Sequence, residues 1–69
     1  MKVKLYLAAN KGGLSYVGEF VGENAAATYV KEHVDLKHDA PILEINGILF
    51  WYVDLPQGYM WEEPIQLKN

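Results

Sequence analysis

The stretch Ile42-Leu43-Glu44-Ile45-Asn46-Gly47-Ile48-Leu49-Phe50-Trp51-Tyr52-Val53 decides how this chain folds. Asn-Gly between two apolar runs is the strongest short-range hairpin signal, because a two-residue type I′ turn needs positive φ at both positions and these residues adopt it at least cost. Such a turn pairs Ile45 with Ile48, Leu43 with Phe50 and Ile42 with Trp51. Side chains alternate across a strand. One face of the hairpin therefore carries Leu43, Ile45, Ile48, Phe50 and Tyr52, and the other carries Ile42, Glu44, Leu49, Trp51 and Val53. Both faces are apolar, so both call for cover.

Toward the N-terminus, Val3, Leu5 and Leu7 alternate with Lys4, Tyr6 and Ala8, the period of a half-buried strand over residues 2–9. Asn10-Lys11-Gly12-Gly13 is a turn cluster, and 14–21 reads as a second strand. A four-residue loop pairs Ala9 with Leu14, Leu7 with Tyr16 and Val3 with Phe20. That register puts Lys4, Glu19 and Ser15 on one face together with Tyr6 and Val17.

A helix is predicted over about 24–34, capped by Asn24 or, nearly as well, by Gly22 with Glu23 in the first turn. Ala26, Tyr29, Val30 and His33 form its expected core face, and Thr28, Lys31 and Glu32 look outward. Such a helix is roughly 16 Å long and about 10 Å wide, enough to lie over about two strands but not over four or five. Residues 35–41 read as a polar connector before strands at 42–45 and 48–53. Leu55-Pro56-Gln57-Gly58 suits a turn, 59–61 a short fifth strand, and 65–69 a tail. The expected architecture is α+β, one domain over 1–69, in ββαββ(β) order, with an antiparallel sheet and one helix on one face.

Composition limits what such a domain does. A 69-residue chain buries only about 60% of the surface its unfolded form exposes, so association would add to a thin stability. The chain has no cysteine, which rules out disulfides and fits a reducing, cytoplasmic setting. Its first residues alternate charge without a leader-like apolar stretch, so neither a secretory signal nor a membrane span is expected. Six scattered lysines, no arginine and a net charge of -3 argue against nucleic-acid binding, for lack of a basic surface.

Chemistry-bearing clusters are sparse. His33, Asp35, His38 and Asp39 include metal-ligand types, but their spacing suits a helix end and a solvated loop better, so no metal is expected. Lys11-Gly12-Gly13 leads into a strand rather than a helix, and Glu23 after Gly22 would repel an anion, so no phosphate loop is expected. Ser15, the one serine, has no histidine nearby, and Asp54 with Glu62-Glu63 reads as exposed carboxylate. No catalytic residue, cofactor or small-molecule substrate is inferred, and the chain is not expected to be an enzyme.

The aromatic residues Tyr6, Trp51, Tyr59 and Trp61 invite two readings. Either the segment from Tyr59 to Leu67 folds back over the second sheet face, or that face is a contact surface. The second reading makes Trp51 and Leu49 central anchors with Tyr6, Val17 and Val53 around them, ringed by Lys4, Glu19 and Glu44. The expected function is protein–protein contact, most simply a homodimer through the face opposite the helix. The alternative is an inhibitor or adaptor that binds a larger host protein, by analogy of size and shape alone with small acidic-surfaced ββα-type domains encoded by phages and mobile elements. A small enzyme or metal protein is the third class.

Overall fold

A computed structural model describes residues 1–9 and 11–63. Its elements run β1 (Lys2–Ala9), β2 (Leu14–Val21), α1 (Glu23–His33), β3 (Asp39–Ile45), β4 (Ile48–Leu55) and β5 (Gly58–Glu62). The five strands form one antiparallel sheet in the order β2-β1-β3-β4-β5, with α1 against one face. The helix carries the chain from β2 at the edge, across β1, to β3. This is the expected α+β architecture.

The Asn46-Gly47 hairpin forms in the expected register, Ile42 opposite Trp51 through Ile45 opposite Ile48. Asn46 (φ 52) and Gly47 (φ 81) both take the positive values that a type I′ turn requires. Pro56-Gln57 makes a second two-residue connection, with Leu55 opposite Gly58. β3 starts earlier than the expected residue 42 and includes Pro41. Proline is tolerated there because β4 pairs with β3 only over Ile42–Ile45, so on that side no ladder exists for the missing N–H to break.

The β1–β2 hairpin departs from expectation. Val3 does lie opposite Phe20, and Leu5 opposite Gly18. Between Leu5 and Tyr6 the register shifts, so Tyr6 faces Tyr16, Leu7 faces Ser15 and Ala8 faces Leu14. Val17 is the extra residue of a β-bulge. A shift of one residue sends every side chain beyond it to the other face. Tyr16 therefore moves to the open face, and Val17 packs half-buried against the core.

The core is Val3 and Leu5 of β1, Leu43 of β3, Tyr52 of β4, and Ala26, Ala27 and Val30 of α1. Each fully buried leucine or valine contributes roughly 1.5–3 kcal/mol. The helix lacks a side-chain N-cap and follows Gly22, not Asn24. Its buried face corrects one expectation: Ala27 is buried, whereas His33 is exposed and lies beside Tyr29, ring centroids 4.7 Å apart. At the end of the helix the imidazole stays exposed while its ring packs, tilted by 37°, against that of Tyr29.

The helix lies over β1, β2 and β3. On the same face, β4 and β5 are covered instead by their own aromatics. Tyr52 stacks on Tyr59 at 5.8 Å and meets Trp61 edge-on at 5.2 Å. Trp61 Nε1 donates to the Glu23 carbonyl (3.4 Å), the Tyr59 hydroxyl bonds the Asn24 side chain, and Lys31 Nζ lies 5.3 Å from the Tyr59 ring centroid. Residues 59–62 thus extend the sheet and fasten it to the helix start. They do not fold over the opposite face, as one reading of the sequence would have it. The expected tail at 65–69 lies outside the described residues.

Candidate interaction face

With Val3 and Leu5 under the helix, alternation places Lys4, Tyr6 and Ala8 on the other side of β1. The strand pairings then align this open face in three rows across the sheet. The central row runs Tyr16, Tyr6, Ile42, Trp51, Glu62, one residue from each strand. On one side lie Leu14, Ala8 and Ala40, with Val53 and Met60 beyond. On the other lie Glu19, Lys4, Glu44 and Leu49.

Ile42 is only 6% exposed although no described element lies above it, because Tyr6 and Trp51 flank it at directly opposite positions. The two ends of the strip are the groups left to solvent: Trp51 at 37% and Tyr16 at 57%. The Tyr6 and Tyr16 rings meet at 5.5 Å, within the range of favourable aromatic pairs. Among the described residues all five strands lie within the sheet and the one helix is on its far side, so nothing covers this face.

Four of the five sequence-derived contact residues are therefore brought together: Trp51, Leu49, Val53 and Tyr6. The fifth, Val17, is not among them, and Tyr16 takes its place. The missed signal was Gly18, since glycine inside a strand often marks a bulge. Lys4, Glu19 and Glu44 fall in one row along one side of the patch and do not ring it.

The electrostatics centre on Tyr6. Its hydroxyl donates to Glu44 Oε1 at 3.0 Å. That bond, followed by partial burial and the charge of Glu44, raises the tyrosine pKa above its ordinary value, since ionisation would set phenolate against carboxylate. Tyr6 is thereby held as a neutral donor to Glu44.

The other clusters are dispersed. His38 Nδ1 lies 3.4 Å from Asp35 Oδ2, and His33 Nε2 lies 3.8 Å from Glu32 Oε1 on separate exposed segments. Among the described residues no set of three or more His, Cys, Asp or Glu side chains could hold a metal ion, and no pocket is present. No helix among them is long and apolar enough to cross a membrane. Compared with known proteins, the chain matches no family model, no curated protein and no solved structure.

Proposed function

We propose that this chain is a cytoplasmic protein–protein contact module that self-associates through the open sheet face, anchored by Trp51 and Leu49 with Tyr6, Tyr16 and Val53 around them. The observation that carries this reading is the row Tyr16, Tyr6, Ile42, Trp51, an apolar strip across four strands with no cover among the described residues. Apolar patches of this kind in water mark contact sites, and tryptophan and tyrosine dominate interface energetics. The dimensions agree. Overall extents are 31 × 27 × 21 Å, and the broad face of a helix-on-sheet layer is of the order of the ~800 Å² per partner found in stable interfaces. Two such faces would stack about 10 Å apart, as sheets do in sandwiches.

Light scattering over a concentration series tests this. The full chain is expected to double its mass as concentration rises, and Trp51→Ala to weaken association by about 2 kcal/mol or more, roughly thirtyfold in Kd. The variant should remain folded, because Trp51 lies outside the core. The same series on a chain ending at Glu63 keeps every described strand and separates any contribution of residues 64–69. A monomer at all concentrations, with or without those residues, would sink self-association through this face and favour an adaptor that binds a larger protein.

A further inference from the structure

The two edges of the sheet are unlike. The outer edge of β5 is five residues long, ends in Glu62 and is followed by Glu63, the short acidic form that discourages strand addition. The outer edge of β2 is eight residues long, carries one charge, Glu19, and exposes Leu14 (54%) and Val21 (75%) beside Tyr16. Among the described residues no strand pairs with the outer side of β2, and an edge of this length presents a row of backbone groups free to pair.

The bulge at Val17 gives this edge a specific property. Alternation reverses across it, so Leu14, Tyr16, Glu19 and Val21 share the open face while Ser15, Val17, Gly18 and Phe20 share the helix face. In a regular eight-residue strand the first and last residues point to opposite faces, and two antiparallel copies cannot overlap fully without opposing inner to outer residues. With the bulge they can. Leu14 meets the partner's Val21, Ser15 the partner's Phe20, Tyr16 the partner's Glu19 and Val17 the partner's Gly18, each pair on one face.

We propose that β2 is the edge through which a second copy of this chain joins, antiparallel and centred between Val17 and Gly18, to make one continuous ten-stranded sheet. No like charges stand opposite each other in this register, since Glu19 faces tyrosine, and Leu14 against Val21 is an apolar cross-strand pair of the stabilising kind. A bulge ordinarily spoils an edge for a straight incoming strand. Here the incoming strand bends at the matching place. The two-fold axis is perpendicular to the sheet, so both helices lie on one side and both open faces on the other. The inference does not depend on what occupies the open face.

The absence of cysteine from the chain makes disulfide trapping clean. Leu14→Cys and Val21→Cys variants, both at exposed positions, are mixed at micromolar concentration and oxidised with copper phenanthroline. Directly opposite antiparallel residues have Cα atoms about 4.5–5.5 Å apart, inside the range of about 4.4–6.8 Å that a disulfide spans. Two copies of position 14 would sit seven residues apart, about 23 Å at ~3.3 Å per residue, and could not bridge. The mixture is expected to cross-link on the order of a thousandfold faster than either variant alone, because pairing lifts micromolar thiol to a millimolar effective concentration. Tyr16→Cys with Glu19→Cys, nearer the axis, should behave alike and guards against one pair misfolding. Equal rates in the mixture and in the single variants overturn the proposal. Adding Trp51→Ala to both partners should leave the cross-link intact, so failure of the open-face reading and failure of this one are told apart.

Discussion

The β3–β4 hairpin and the β1–β2 hairpin are built from similar strands, yet one keeps the register that its turn implies and the other does not. Asn46-Gly47 admits a single closure: two residues, both at positive φ, with Ile45 and Ile48 locked opposite each other. In the other hairpin Gly12 (φ 94) and Gly13 (φ 91) serve a wider loop, held by Gly12 N–H to the Ala9 carbonyl at 3.0 Å. Such a loop accepts more than one closure, so register is settled by packing. The core requires Val3 and Phe20 on the helix side, where Phe20 meets Tyr29 at 5.3 Å. The bulge at Val17 absorbs the mismatch. The difference matters for both proposed contacts because that slip brings Tyr16, instead of Val17, onto the open face and leaves the two ends of β2 on the same face.

The sharpest way to break the comparison is to empty the core beneath each hairpin. Leu43 is fully buried on the register-locked side, and Leu43→Ala should cost 2–5 kcal/mol. A chain of this length is worth only about 3–10 kcal/mol in total, so the variant is expected to be largely unfolded or to melt far earlier in urea. Val17→Ala removes two methyl groups from a half-buried bulge position and should cost about 1 kcal/mol, at roughly 0.8 kcal/mol per buried methylene. Equal losses would mean that the bulge packs as tightly as the centre of the sheet.

This asymmetry also explains what was legible in the sequence. The element order, the antiparallel sheet and the β3–β4 register follow from local chemistry: alternation, an Asn-Gly turn, an alanine-rich helix. The identity of Trp51, Leu49 and Val53 as one face follows from that register, whereas Tyr6 joins them only through the pairing of β1 with β3. What did not follow was non-local. The bulge depends on Val3 and Phe20 meeting the helix, and the placement of Tyr59 and Trp61 under the helix start depends on β5 extending the sheet rather than folding over it. Within β2 the interior Gly18 is the one local mark of the bulge, and nothing within β5 marks its contact with the helix start.

The second test moves a single methyl group. Gly47 holds φ at 81, a conformation that costs an L-residue roughly 1–2 kcal/mol, so Gly47→Ala should lower the urea midpoint accordingly. Gly18, beside the bulge, has an ordinary φ and nothing within 4 Å of where its Cβ would stand. Gly18→Ala should be neutral or stabilising by about 0.4–1 kcal/mol, through loss of freedom in the unfolded chain. If Gly18→Ala proved the costlier of the two, glycine would be required at the bulge itself, and the packing of Val3 and Phe20 would not be what sets the β1–β2 register.

The smallest effect separates the hairpins only at alkaline pH. Tyr6 in β1 and Tyr52 in β4 both have raised pKa values, for different reasons. For Tyr6 the hydrogen bond to Glu44 leads, with burial and the charges of Glu44 and Tyr16 behind it. For Tyr52 burial leads, with Asp54 and Tyr59 behind. In each case the folded state holds the proton more tightly than the unfolded chain does. The resulting stability is fully present below the ordinary tyrosine pKa of about 10 and is lost as pH rises through the folded value. Urea melts at rising pH should therefore show alkaline weakening that Tyr6→Phe and Tyr52→Phe each reduce. Because the Tyr6 shift rests on a carboxylate partner, Glu44→Gln should remove most of it and leave the Tyr52 contribution untouched. If Glu44→Gln changed nothing, the bond to Glu44 would not be the cause that leads at Tyr6, and burial would lead there as it does at Tyr52.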